Sequence, residues 1–202
     1  MTAPVLLISC GALAREIVAL TRLNDWNHLK IKCLPAELHN TPEKIPGAVR
    51  DMIDDNRADF DQIFVAYADC GTGGMLDKVL SEYGISRLSG AHCYEIFAGS
   101  AAFRDLADAE TGTFFLTDFL ARHFDRLIVN GLGLDEHPEL MPMYFGNYRR
   151  LVYLAQSDSP ELAAKAEQHA GYLGLDYEHV RTGLENVTRQ ISDSVIQQRK
   201  MT

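Results

Sequence analysis

The chain opens on a continuous apolar run, Val5-Leu-Leu-Ile-Ser-Cys10, which predicts a strand buried on both faces. Gly11 breaks the run. Leu13, Ile17, Leu20 and Leu23 then recur at roughly helical spacing. Leu29, Ile31 and Cys33 alternate with Lys30 and Lys32, which predicts a strand with one apolar face and places Cys33 on it. A loop with Pro35, Pro42 and Pro46 follows, then a helix around Gly47 to Asn56. The pattern restarts at Gln62-Ile-Phe-Val-Ala-Tyr67, again a strand. Asp69-Cys-Gly-Thr-Gly-Gly74 reads as a turn, and Met75 to Tyr83 as a helix with Met75, Leu76, Val79 and Leu80 apolar. A weak fourth strand is predicted over Ile85 to Gly90, with His92-Cys-Tyr-Glu95 at its end, and a helix over Tyr94 to Leu106.

The longest helical pattern runs from Thr113 to Asn130, with Phe115, Leu116, Phe119, Leu120, Phe124, Leu127 and Ile128 as its buried stripe. Gly131 and Gly133 end it. The next stretch, Leu134 to Tyr148, contains Pro138 and Pro142 and reads as loop or short helix. Arg150 to Ala155 is a strand, Ser159 to Leu173 a helix with Pro160 in its first turn, and Asp176 to Arg181 a last strand. Strands alternating with helices predict an α/β fold: a mostly parallel central sheet with helices on both faces. Residues 1–187 read as a single α/β domain and 188–202 as a polar C-terminal tail with frayed helix. Cys10 and Cys33 are 23 residues apart, as are Cys70 and Cys93, each pair in a strand–helix–strand frame. That regularity suggests an internal βαβ duplication, and the segment from Val152 repeats the outline without cysteine.

Composition changes this picture little: 47% of residues are hydrophobic and 23% charged, which suits one globular core. The net charge of −9 disfavours nucleic acid and anionic membranes as main partners. No stretch approaches the ~20 apolar residues that span a bilayer. Met1 to Pro4 carry no basic segment, so no signal peptide is evident and a cytoplasmic location is expected. There, cysteines stay reduced and point to metal binding or catalysis before structural disulfides.

The candidate chemistry follows from where the cysteines fall. Ligands of open parallel sheets bind outside the carboxyl ends of the strands. Cys10 and Cys70 both sit there, each before a glycine and a helix start, where a thiolate is favoured. Cys93 follows a predicted strand in the same sense, and His39 lies in the loop after the second strand. Cys10, His39, Cys70 and Cys93 make a soft ligand set for zinc, with an Fe–S cluster as the alternative. Cys33, on its apolar face, reads as a buried hydrophobe. Asp69 and Glu95 flank the cysteines as candidate acid–base groups, against the ordinary role of capping or surface carboxylates. The backbone of Gly71, Thr72, Gly73 and Gly74 suits a phosphate or carboxylate. Tyr144 and Asn147, in an aromatic stretch interrupted by glycine, are candidates to cover a flat ligand. Thr117-Asp118 and Arg122-His123 read as a solvated helix face.

These stretches also carry a resemblance. Cys10-Gly-Ala-Leu13, Leu38-His-Asn40, Tyr67-Ala-Asp-Cys-Gly-Thr-Gly-Gly74, His92-Cys-Tyr-Glu95, Phe115-Leu-Thr-Asp-Phe119, Gly131-Leu-Gly-Leu-Asp135 with His137-Pro-Glu139, and Tyr144-Phe-Gly-Asn-Tyr148 together resemble domain-of-unknown-function family 1638. The resemblance covers about residues 5–185. It implies an association with corrinoid-dependent methyltransferase systems, including split forms of cobalamin-dependent methionine synthase. The chain has no Asp-x-His-x-x-Gly motif of a domain whose histidine ligates cobalt, so a corrinoid would be met in another way or through a partner protein or methyltransferase subunit. The expected function is therefore a metal-binding enzyme or accessory factor in corrinoid-dependent methyl transfer. The alternatives are a small-molecule anion-binding module with structural cysteines, and a metal-independent thiol enzyme using Cys70.

Overall fold

A computed structural model describes residues 4–200, with side chains through residue 194. The chain divides into two compact units: Met1–Ile96 with Leu184–Thr202, and Phe97–Gly183. The fold is α/β with all strands of each sheet parallel, as the alternating pattern predicts, but the strands form two three-stranded sheets rather than one.

In the first unit, β1 (Val5–Cys10) is central, between β2 (Leu29–Leu34) and β3 (Gln62–Ala66). The sequence pattern explains the order. The unbroken apolar run of β1 is buried at every position, as a strand flanked on both edges must be. The lysine-bearing β2 lies at an edge, where Lys30 and Lys32 reach solvent. That edge position also exposes Cys33, so it does not pack as a buried hydrophobe, although Leu29 in the same row is buried. Helix α1 (Ala14–Leu23) contributes Ile17 and Leu20 to the core, α2 (Ile45–Asp54) Ile45, Val49 and Ile53, and α3 (Met75–Tyr83) Leu76, Val79 and Leu80. The predicted strand over Ile85 to Gly90 is reduced to one parallel bridge, Val65 with Arg87. Instead of one helix from Tyr94, α4 (Cys93–Ala98) and α5 (Ser100–Ala109) form, interrupted at Gly99 with φ 82°. α5 belongs to the second unit. The C-terminal stretch forms α9 (Glu185–Lys200), whose Val187 and Ile191 are buried.

The second unit holds β4 (Thr113–Thr117), β5 (Arg150–Ala155) and β6 (Asp176–Arg181) in that order. β4 corrects the prediction of one long helix from Thr113 to Asn130. Thr113 to Thr117 pair with Arg150 to Leu154, and only then does α6 (Asp118–Phe124) begin, capped by the Thr117 hydroxyl, before a π-turn over Asp125–Val129. A short helix, α7 (Met141–Phe145), lies in the proline-bearing stretch, and α8 (Pro160–Leu173) forms where a helix is predicted, with Ser159 as its cap, whose hydroxyl accepts from the Leu162 amide. Leu116, Phe124, Leu151, Tyr153 and Leu162 belong to one core cluster. The parallel pairs β1–β2 and β5–β6, each joined through a helix, are compatible with a duplicated βαβ unit.

Candidate functional site

The first unit has a topological switch. From β1 the chain crosses to β2 on one side, then to β3 on the other, so neighbouring connections diverge at the carboxyl ends of β1 and β3. Open α/β sheets bind ligands at such a crevice. Cys10 is the last residue of β1, and Tyr67, Asp69 and Cys70 follow directly on β3.

Local geometry draws the side chains together there. Cys10 caps the 3₁₀ turn Gly11–Leu13, its Sγ accepting from the Ala12 amide at 3.2 Å. A Cβ on Gly11 would stand 2.9 Å from the Leu34 carbonyl oxygen and 3.3 Å from the Ala36 amide nitrogen. The glycine therefore lets the turn after Cys10 press against the segment that carries His39. Both ring nitrogens of His39 come to 3.9 Å from Cys10 Sγ. Nδ1 also lies 2.9 Å from the Ala36 carbonyl oxygen. A carbonyl only accepts, so that contact assigns the proton to Nδ1 and leaves Nε2 with its lone pair. A backbone-anchored Nδ1–H is also the usual support of a metal-ligating histidine. Burial holds His39 below its ordinary pKa, with the Ala36 bond opposing that shift and nearby His92 adding to it.

Cys70 arrives by a strained route. Its φ of 52° is left-handed, a conformation costing a non-glycine residue about 1–2 kcal/mol. Its amide donates to the Ala91 carbonyl at 2.8 Å and that of Asp69 to Gly90 at 3.1 Å, which fixes the turn beside the start of α4. There the backbone beside Ala68 and Cys93 pulls the pKa of the Cys70 thiol down, though less than burial raises it. Cys10, Cys70 and Cys93 perturb one another electrostatically.

Helix starts do not make these sulfurs thiolates, contrary to the expectation from position alone. Burial pushes Cys10 up to about 12 and Cys70 up to about 11, outweighing the amide hydrogen bonds that pull both down. Cys93 is also raised by burial, with Cys70 and Cys10 adding to the effect. Burial thus favours the neutral thiol form at Cys10 and Cys70.

Sequence reasoning passed over Tyr67 as a site residue. The side chain is fully buried and stacks on His39, with ring centroids 6.2 Å apart and planes within 9°. Its hydroxyl has no hydrogen-bond partner among the described residues. It interacts with the Cys10 thiol without meeting the geometry of a hydrogen bond. A buried hydroxyl left unsatisfied costs about 1–3 kcal/mol. The available signal was a polar ring directly after the apolar run Ile63–Ala66 of β3.

The two candidate acid–base groups serve the backbone. Asp69 accepts from the Thr72 hydroxyl at 2.7 Å, the Gly74 amide at 2.8 Å and the Gly73 amide at 3.1 Å. Burial works against its carboxylate, but these bonds and the Arg87 charge outweigh it and hold the group below its ordinary value. The Gly73 and Gly74 amides of the proposed anion cradle are thus already engaged, while Gly71 and Thr72 complete the turn. Glu95 accepts from the Ala91 amide at 2.8 Å across the start of α4. Tyr144 and Asn147 are exposed residues of the second unit.

The second unit buries a carboxylate that the sequence placed on a solvated face. Asp118 is 1% exposed. Its Oδ1 accepts from the Tyr153 hydroxyl at 2.6 Å and the Gln156 amide at 3.0 Å, and its Oδ2 from the Ser157 hydroxyl. Arg122, on the next turn of α6, reaches Oδ2 at 3.6 Å. Every polar group here has a partner, so the cluster reads as a clamp between the ends of β4 and β5.

Among the described residues, no group of three or more His, Cys, Asp or Glu is arranged to hold a metal ion. Cys10 and His39 are in contact, and Cys70 and Cys93 stand alongside without closing a ligand set. No helix among the described residues is long and apolar enough to cross a membrane. A protein-family model described as "Protein of unknown function (DUF1638)" matches residues 33–191. No curated protein and no solved structure matches the chain.

Proposed function

The chain belongs to the DUF1638 family, proteins of unknown function, and from its own residues we propose that it is a soft-metal-binding accessory factor whose site lies at the switch point of the first unit. The supporting observation is the contact between Cys10 Sγ and a His39 ring that keeps Nε2 unprotonated, with Cys70 and Cys93 beside it. Sulfur and imidazole suit zinc first, or iron in a cluster. A bound cation would also stabilise the thiolates that burial otherwise disfavours. The described residues do not close a ligand set, so we route no reaction step through the metal. Asp69 and Glu95, the two carboxylates expected as acid–base groups, are committed to the backbone. That favours an accessory role over an enzyme, and it also weakens the reading of Cys70 as a nucleophile.

The setting we propose is the one implied by the resemblance, corrinoid-dependent methyl transfer with the corrinoid carried by a partner. The anion-binding alternative is less well supported, because Asp69 occupies two of the amides it needs.

The deciding measurement is the metal content of the full chain purified without oxygen, followed by zinc titration against a chromophoric chelator. We expect about one equivalent of zinc, lost in Cys10→Ser and His39→Asn and retained in Cys33→Ser. A brown protein with stoichiometric iron would assign a cluster instead. A normally folded chain that arrives metal-free and takes up neither zinc nor cobalt(II) would refute the proposal.

A further inference from the structure

We infer that residues 85–90, the outer edge of the first unit's sheet, are a strand-addition site for an extended basic segment of a partner protein, with Gln190 of α9 holding the place of one of its peptide groups. The site lies wholly within the first unit and needs no metal. The segment pairs with β3 at Val65, on the side away from β1. Its main-chain groups alternate in direction. The Ser86 carbonyl accepts from the Val65 amide at 3.1 Å, the Leu88 amide donates to the Val65 carbonyl at 3.1 Å, and the Gly90 carbonyl accepts from the Asp69 amide at 3.1 Å. Residues 86, 88 and 90 therefore face the sheet, while 87 and 89 turn outward. The outward N–H and C=O of Arg87 have no hydrogen-bond partner among the described residues. The outward N–H of Ser89 donates to Gln190 Oε1 at 3.0 Å, and the Ser89 hydroxyl donates to the same oxygen at 3.0 Å. A side-chain amide has the chemistry of a peptide unit, so Gln190 fills one rung that a neighbouring strand would supply.

The two edges of this sheet differ in how they are guarded. β2 carries Lys30 and Lys32, exposed charges of the kind that keep other strands away. Residues 85–90 include neither lysine nor proline, Ser86 and Ser89 are small and exposed, and Arg87 is tied down by both oxygens of Asp77. An open edge of this kind binds extended peptides through main-chain hydrogen bonds, with adjoining pockets selecting the side chains. The adjoining space is a groove of about 440 Å³ between the edge and α3, lined by Leu80, Ile85 and Leu88 among others. Its two charged residues are unequal at the surface, since the Arg87 side chain is 15% exposed and that of Asp77 54%. Asp69 also acts on both, so the three groups carry one negative charge in excess. That charge selects a basic occupant. A lysine of the added strand would lay its methylene stem along the apolar lining and bring its ammonium to Asp77.

The test titrates the full chain with an acetylated decapeptide of alternating lysine and valine, read by amide NMR shifts and hydrogen exchange. We expect saturable binding below about 1 mM, with the Arg87 and Ser89 amides shifted and slowed in exchange. A glutamate-for-lysine peptide should bind about fivefold more weakly or worse. The lysine–valine peptide N-methylated along its centre, which can donate from neither edge, should lose about tenfold or more. Gln190→Ala frees the Ser89 N–H, so it should tighten peptide binding by about two- to tenfold. No saturable binding, or equal binding of the N-methylated peptide, would overturn the inference, as would shifts confined to residues away from 85–90. Equal binding of the acidic peptide would overturn the basic character of the occupant. Protection of Arg87 and Ser89 that rises with protein concentration in the absence of peptide would assign the edge to a second copy of the chain and overturn the proposed partner.

Discussion

Replacing Asp118 with alanine should be among the most destabilising single changes in the second unit. The substitution removes the acceptor of the Tyr153 hydroxyl and of the Gln156 amide, both buried. Each donor stranded in this way costs about 1–3 kcal/mol. Ser157 is exposed, so its hydroxyl turns to water at little cost. Arg122 loses a partner 3.6 Å away, but its side chain is 20% exposed and solvent takes up part of that charge. The sum is about 3–5 kcal/mol, a large share of the roughly 5–15 kcal/mol that holds a typical domain together. Asp118→Asn keeps an acceptor for Tyr153 and should cost about 1–2 kcal/mol. Tyr153→Phe removes the donor instead. In the double variant, with no stranded hydroxyl, the loss should fall short of the sum of the singles by about 1–2 kcal/mol.

Urea unfolding followed by far-ultraviolet circular dichroism measures these differences. The single tryptophan, Trp26, lies in the first unit and reports it separately by fluorescence. Coincident midpoints show that both units unfold together; separate midpoints assign the loss to the second. An Asp118→Ala protein within about 0.5 kcal/mol of wild type, the range of ordinary surface changes, would refute the view of Asp118 as a buried clamp.

Three further outcomes are expected. Gly11→Ala puts a methyl group 2.9 Å from the Leu34 carbonyl and should cost about 1–3 kcal/mol in urea unfolding. It should also weaken zinc binding by moving His39 away from Cys10, and a variant with unchanged midpoint and affinity would contradict that route. Alkylation of the metal-free folded protein near pH 8, read by mass spectrometry, should label exposed Cys33 first and buried Cys10 and Cys70 slowly; the reverse order would show that the cluster is open. The Asp77 carboxyl is held below its ordinary value by Arg87, which donates from Nε at 2.6 Å. The pair therefore adds stability above pH ~4 that is lost as pH falls through the depressed value. Asp77 is half-exposed, so the contribution is under about 1 kcal/mol. Asp77→Asn should flatten the acid limb of the stability curve by that amount, and an identical limb would refute the assignment.

Much of the fold was legible because it is written locally. The apolar run of β1 reads as a doubly buried strand, since only a strand with neighbours on both edges buries every position. The Ser159-Pro160 start of α8 and the glycine-rich turn after β3 were equally plain, because caps and turns depend on a few adjacent residues. The same locality placed Cys10 at the end of β1 and Cys70 in the turn after β3. Local pattern failed where two periods fit one stretch. Phe115 and Leu116, with Phe119, suit a helix face, while Thr113 to Thr117 also suit a strand, and pairing with β5 decided for the strand.

The rest was settled by tertiary structure. Cys33 is exposed because β2 is an edge, and edge position is a property of strand order rather than of the alternation within the strand. Asp118 is buried because residues 35 to 39 positions away supply its hydrogen bonds. Burial, which no local motif encodes, reversed the thiolate expected of Cys10 and Cys70. Sequence alone marked the candidate soft-ligand residues, with Cys10 at a strand end and Cys70 in the turn after another strand. Only the tertiary structure set His39 against Cys10, across the bare backbone of Gly11, and left the Tyr67 hydroxyl beside them without a partner.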